Sequence, residues 1–196
     1  MLLTRGKAKL PSVQQARQRK TRLLFENPTE FHRLLRLDFE RVAHIADRYG
    51  FTPLMRMDVG SDLGWFRYAR DFPEFRFYGY TKVYSRFSKP IPSNMHLTYS
   101  WNELSVARGV DPGRVFDAGQ NIAVVVSTLN KHGTRLAGQL PAIVDLCGYR
   151  KRPVDGDAHD WRIPELDGRG RLVALRFKGG AAARQKAIRD GFVLSV

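Results

Sequence analysis

Cysteine is almost missing from this sequence: Cys147 is the only one in 196 residues, which excludes an intramolecular disulfide framework and any all-cysteine zinc or iron–sulfur site supplied by this chain alone. A reducing compartment is the expectation. Long apolar runs are also missing. Stretches such as Ile122 to Val126 are far too short to cross a bilayer, and the N-terminal residues contain no apolar stretch of signal-peptide length, so no membrane partner is expected. No P-loop, dinucleotide fingerprint, HExxH or GxSxG occurs, which leaves Walker-type ATP hydrolysis, Rossmann-type hydride transfer, zincin proteolysis and hydrolase-type acyl transfer without support. Acid is absent from one end: Met1 to Phe25 carries seven basic residues and no Asp or Glu, half of the net charge of +14.

What is present is the material for one ordinary folded domain, with 43% hydrophobic residues, and an excess of positive charge whose natural partner is a polyanion. Residues 1–25 read as a basic segment and 26–196 as a single α/β domain. In the basic segment Ser12 is a candidate cap for a helix carrying Val13, Ala16, Leu23 and Leu24 among Arg17, Arg19, Lys20 and Arg22. Those four cations are the candidate nucleic-acid contacts; the alternative is a solvated helix face. The next helix has clear ends, with Asn27 as cap, Pro28 in the first turn and Gly50 as the left-handed stop. Phe31, Leu34, Leu35, Val42, Ile45, Ala46 and Tyr49 give it an apolar stripe, and His32 and His44 are read as packing or surface residues.

Beyond Gly50, short apolar runs end in polar residues: Leu54 to Val59, Phe75 to Tyr80, Met95 to Tyr99, Ile122 to Val126, Ala142 to Leu146 and Leu172 to Phe177. A helix from Asp111 to Ala118, stopped by Gly119, precedes the most apolar of them. Runs without strict alternation predict strands buried on both faces, hence a mostly parallel sheet with covering helices. About six strands are too few for a closed eight-stranded barrel, which leaves an open or partial TIM-like (β/α) barrel, the preferred form, or a doubly wound sheet.

In parallel α/β folds ligands sit at the carboxyl ends of the strands, a rule that nominates Asp58, Ser61, Asp62, Tyr80, Lys82, Ser100 and Lys178 around one mouth suited to a phosphate or sugar. Each has an alternative role as a strand-end cap or turn residue. The densest polar cluster is Asp155, Asp157, His159, Asp160 and Arg162, where three carboxylates and an imidazole could hold a divalent ion such as magnesium, or pair a base with an anion-clamping arginine. The other reading is an acidic turn paired with Arg150, Lys151 and Arg152 upstream. Cys147, at the end of an apolar strand, is read as a buried inert thiol. The rings of Phe75 to Phe87 are read as core in preference to base-stacking platforms.

The phrases Gln14-Gln15-Ala16-Arg17, Lys20-Thr21-Arg22-Leu23-Leu24-Phe25, Phe77-Tyr78-Gly79-Tyr80-Thr81-Lys82, His96-Leu97-Thr98-Tyr99-Ser100, Asn121-Ile122-Ala123-Val124-Val125 and Val154-Asp155-Gly156-Asp157, in this order, resemble a family of bacteriophage and prophage proteins labelled gene product 88-like. The resemblance continues through Asp160, Arg162, Lys178-Gly179 and Gly191-Phe192-Val193. It implies a phage or mobile-element origin and the bacterial host's cytoplasm, and it marks Ser61, Asp62, Tyr80, Lys82, Ser100, Asp155, Asp157, Asp160, Arg162 and Lys178 as recurrent polar positions. Relatives commonly have a cysteine-rich segment, suggestive of a metal or iron–sulfur centre, ahead of the part corresponding to residues 5 to 25. This chain begins after it, through a late start or a real loss.

The expectation is therefore a protein that binds nucleic acid through Arg17, Arg19, Lys20 and Arg22 and acts on a phosphate-bearing group at the strand ends. If it is an enzyme, Asp155, Asp157 and Asp160 are the metal or acid–base groups, with Lys82, Arg162 and Lys178 holding anionic oxygen. The alternatives are a non-catalytic phage protein that inhibits or recruits a host protein, and a truncated or degenerate iron–sulfur enzyme.

Overall fold

The computed structural model describes residues 9–102, 104–127 and 139–194. Arg5 and Lys7 of the basic segment lie outside the described residues. Contacts divide the chain into two compact units, residues 1–55 with 67–76 and residues 56–66 with 77–196.

The first unit is helical. Helices α1 (Pro11–Glu26) and α2 (Pro28–Tyr49) meet at Asn27, whose side chain accepts the Glu30 N–H at 3.2 Å, satisfying one of the four unpaired donors at the start of α2. Gly50 ends α2 at φ +68, a left-handed conformation that costs a residue without a Cβ nothing. Ser12 does not cap α1: Leu10 occupies that position with no side-chain bond, and Pro11 opens the helix because its missing N–H is not needed there. The buried line of α2 also differs from the expected stripe. Phe39 and Ala46 are buried, whereas Leu34, Ile45 and Tyr49 are exposed, because the ring of Phe39 seats the helix. It stacks on Tyr68 and Phe72, at 5.3 and 4.8 Å between centroids, and meets Phe75 edge-on at 5.2 Å. Tyr68 lies within α3 (Phe66–Asp71) and Phe72 directly follows it. A short strand, β1 (Leu54–Arg56), straddles the division between the units.

The second unit is built on a parallel sheet. Its strands β2 (Arg76–Thr81), β3 (Met95–Ser100), β4 (Asn121–Val126), β8 (Leu172–Arg176) and β7 (Val154–Asp155) lie side by side in that order, every pairing parallel. The mixed α/β character and the parallel sheet expected from the unalternating apolar runs are present. Strand β4 is central and almost wholly buried. One of its edges is taken along its length by β8; the other is shared in succession by β3 and by β9 (Val193–Leu194).

Register assigns side chains to faces, since neighbours across a parallel ladder point the same way. Tyr78, Tyr80, His96, Thr98, Asn121 and Val173 line one face; Phe77, Thr81, Tyr99, Ile122, Asp155 and Arg176 line the other. On the second face Tyr99 meets the rings of Tyr84 and Phe87, at 6.1 and 5.9 Å, from a 3-10 turn (Tyr84–Ser88) that contacts α4 (Pro112–Asp117). On the first face the Asn121 amide donates to Gly168 O at 3.0 Å, just beyond α5 (Pro164–Asp167).

Two expectations fail together at residues 142–151. The run Ala142 to Leu146 contributes β5 (Val144–Leu146), but β5 pairs antiparallel with β6 (Tyr149–Lys151) in a separate hairpin and takes no part in the parallel sheet. Its two turn residues, Cys147 at φ +52 and Gly148 at φ +90, have the paired positive φ of a tight hairpin, which turns Cys147 outward. The thiol is exposed, not buried.

Gly156, between two aspartates, is held by its N–H to Ala174 O at 2.8 Å. A Cβ there would come within 2.7 Å of Val173 Cγ1 and 2.8 Å of Leu175 Cδ2, so Gly156→Ala is expected to destabilise by about 1–3 kcal/mol through overpacking, read from denaturant midpoints. An unchanged midpoint would mean that β7 yields freely.

Candidate functional site

The parallel strands put Thr81, Ser100, Ser127, Asp155 and Arg176 at one edge of the sheet, its carboxyl edge. The nominated side chains there form three groups.

The first is a loop stapled by two carboxylates. Asp58 accepts from Ser61 Oγ (2.6 Å), Leu63 N (3.0 Å), Gly64 N (3.1 Å) and Trp65 Nε1 (3.0 Å), so the nominated Ser61 is a donor inside the loop. Asp62 reaches the end of β2, taking Thr81 Oγ1 at 2.9 Å and Lys82 N at 2.7 Å, and it pairs with Arg86. Lys82 is exposed beside that pair.

The second group is at β7 and β8. Arg176 bridges both aspartates, with Nη1 to Asp155 Oδ1 at 2.7 Å, Nη2 to Asp155 Oδ2 at 2.9 Å and Nη1 to Asp157 Oδ2 at 3.2 Å; Lys178 Nζ lies 3.0 Å from Asp157 Oδ1. The fork from Arg176 holds the Asp155 carboxyl below the usual range. Burial pushes Asp157 up, but the Arg176 N–H and the Lys178 ammonium outweigh it, and its pKa is lowered. The partners of the acidic turn are thus Arg176 and Lys178 downstream, not Arg150 to Arg152 upstream. The three aspartates and His159 do not assemble as metal ligands: among the described residues no three His, Cys, Asp or Glu side chains converge.

The third group lies on the face of Tyr80. Arg162 is fully buried, with Nη1 3.2 Å from Asp167 Oδ1 and Nη2 donating to the carbonyl of His159, whose ring Nδ1 is 3.0 Å away. Desolvation raises the pKa of Asp167 against the pull of Arg162 and His159. Tyr80 stands with the guanidinium of Arg56 over its ring at 5.2 Å. Burial raises the phenol pKa, Arg162 and Arg56 draw it down, and Asp167 and Asp160 push it up. Beside it in register is Thr98, two residues from His96 on the same face. Both ring nitrogens of His96, Thr98 Oγ1, Arg162 Nε and Asp167 Oδ2 are buried with no hydrogen-bond partner among the described residues. Unpartnered polar atoms concentrated like this are uncommon, because each costs about 1–3 kcal/mol to bury. Burial lowers the pKa of His96 to about 4, aided by the charge of Arg169 and opposed by Glu165.

A family model described as Gene product 88 matches residues 2–191. The chain belongs to this family. A search of the curated proteins found no match, and neither did a search of the solved structures. In this gene product 88 chain the nominated positions on the strands therefore divide by face: Tyr80 and Ser100 share a face with the buried Arg162 region, while Asp155 lies on the other, together with Thr81 and Arg176, which were not nominated. Reading the residues in order missed Arg56, Arg86 and Arg176 because each acts on a partner distant in sequence or from inside a strand, and Asp167 because burial, not its five-residue spacing from Arg162, gives that pair its weight. His96 and Thr98 carried a signal: polar residues inside an otherwise apolar run.

The helical unit supplies the basic surface. Arg17, Arg19, Lys20 and Arg22 are exposed, α1 buries no residue, and only Val13, Ala16, Leu23 and Leu24 are half-buried. Glu26 is the one acid of α1, 3.7 Å from Arg22.

Proposed function

We propose that this phage-family protein binds nucleic acid through its helical unit and holds a phosphate-bearing group at the carboxyl edge of its sheet. The observation that carries the reading is α1: sixteen residues with none buried, presenting four cations against a single acid. A helix whose side chains are at most half-buried gains little from the core, and the cations along it make a surface suited to a polyanion. The unit as a whole holds fourteen basic and seven acidic side chains. At the sheet edge the exposed Lys82 and Lys178 supply cations, and Tyr80 with Asp160 supplies a phenol and a carboxylate for proton handling; Asp155 and Asp157 serve by orienting Arg176 and Lys178. We read the sheet as open and doubly wound in preference to a partial barrel, since its two faces are covered by different connections. A cytoplasmic setting follows from the nucleic-acid partner, and no helix among the described residues is long and apolar enough to cross a membrane.

Affinity for DNA and RNA measured against salt tests this. The wild type is expected to show a steep slope, and the variant with Arg17, Arg19, Lys20 and Arg22 all changed to Gln to flatten it by roughly 3 to 4 on duplex DNA. A wild-type slope near zero removes the reading. Exposed Phe25, Ile45 and Tyr49 on the same unit favour a host protein as the second reading, and partners retained after nuclease treatment would select it.

A further inference from the structure

One concave place in the helical unit gathers cations more tightly than α1 does. A cleft of about 460 Å³ is lined by Pro28, Thr29, His32, Arg33, Arg36 and Arg67, from the first turns of α2 and the start of α3. Its three guanidiniums are each fixed by a different neighbour. Arg33 is forked on Glu30, with Nε and Nη2 both at 2.7 Å. Arg36 donates Nη2 to Asp71 at 2.5 Å and lies over the Phe72 ring at 5.4 Å. Arg67 lies over the Tyr68 ring at 5.4 Å and has no carboxylate partner among the described residues. Two acids against three arginines leave the cleft a surplus cation, and that cation is Arg67. A guanidinium has five N–H donors in a rigid fork, so one pinned by a carboxylate or a ring still presents donors, with its rotamer entropy already spent.

We propose that this cleft is a phosphate-binding notch that seats one backbone phosphate of the bound nucleic acid. The inference rests on the nucleic-acid reading and deepens it by separating a shaped site from the diffuse charge of α1. His32 reports on occupancy. Its Nδ1 shares a 2.6 Å hydrogen bond with Tyr68 Oη, and burial together with the charge of Arg67 lowers its pKa. The charged groups that line the cleft with it are Arg33 and Arg36 on α2 and Arg67 on α3, with Glu30 bonded to Arg33 and Asp71 to Arg36. An anion seated among them acts on the imidazole in the opposite sense to Arg67.

The test is a titration of His32 by NMR in the full chain, with inorganic phosphate at constant ionic strength, alongside oligonucleotide affinity against salt. Phosphate is expected to raise the His32 pKa in the wild type. Arg67→Gln is expected to weaken phosphate about tenfold and to reduce the salt slope for an oligonucleotide by about 1. Arg67→Lys keeps the slope while losing phosphate affinity, which distinguishes shape from charge, and both variants keep the wild-type Tm because Arg67 is exposed. A His32 pKa indifferent to phosphate, or a phosphate response unchanged by Arg67→Gln, overturns the notch while the α1 reading stands if its four-site variant still loses affinity. A phosphate response sensitive to Arg67 in a protein that binds no oligonucleotide at any salt overturns the nucleic-acid reading, and with it the ligand class named here.

Discussion

Replacing Arg162 by methionine is expected to lower the unfolding free energy by about 3–5 kcal/mol, the range for removing one partner of a buried ion pair. Neither side chain of the Arg162–Asp167 pair has any exposed surface. Without the guanidinium, Asp167 must either keep a desolvated charge or take up a proton, and burial already pushes its pKa upward. The sign follows. Native protonation of Asp167 is favoured over unfolded protonation, so the deficit of Arg162→Met should be larger at pH 8 than at pH 5, where Asp167 in the variant can be neutral. The double variant Arg162→Met with Asp167→Leu should recover most of the loss, since a well-packed apolar pair of similar volume is often neutral or better. Chemical denaturation of the four proteins in this cycle gives the coupling directly. A single-variant cost below about 1 kcal/mol would show that Asp167 finds other partners and that the buried cluster does not hold α5 to the sheet.

The same cluster shows where reading the sequence stops. The ends of α2 were legible because Asn27, Pro28 and Gly50 act within a few residues of themselves. Strand β4 was legible because Ile122 to Val126 is apolar whichever face is buried, and parallel pairing followed from the lack of alternation in such runs. The two-residue strands β7 and β9 were missed, since their pairing is fixed by β8 and β4 and not by any local pattern. The hairpin at Cys147 was missed for the reverse reason: its apolar run looks like any other strand, and the turn that folds it back has no Asn-Gly or Asp-Gly to announce it. The strand-end rule names one edge of the sheet but does not distribute residues between faces. A shift of one residue in register exchanges the two faces, and register belongs to pairs of strands. Asp155, Asp157 and Asp160 are therefore close in sequence yet differently engaged, the first two on Arg176 and the third acting on Tyr80.

Acidification should test the neighbouring part of that face. His96 is 2% exposed and takes up a proton only at about pH 4, whereas an unfolded imidazole does so near its ordinary 6.5. Between those values the unfolded chain binds more protons than the native one, so stability falls as pH drops through this window and levels off below it. At about 1.4 kcal/mol per pH unit, the loss assigned to this one group is on the order of 3 kcal/mol between pH 7 and pH 4. Asp155 and Asp157, whose pKa values are lowered, add their own loss as pH falls toward and below the ordinary carboxylate range, but equally in both proteins, so the difference between wild type and a His96 variant isolates the imidazole. His96→Leu removes two buried nitrogens that have no partner among the described residues and keeps a side chain of similar volume. At pH 7 it is expected to be no less stable than the wild type by more than about 1 kcal/mol. At pH 4 it should be the more stable of the two, so that the curves of unfolding free energy against pH cross. Parallel curves would mean that the protonated imidazole is accommodated in the native state, and that the unpartnered face between Tyr80 and α5 opens to admit water before the protein unfolds.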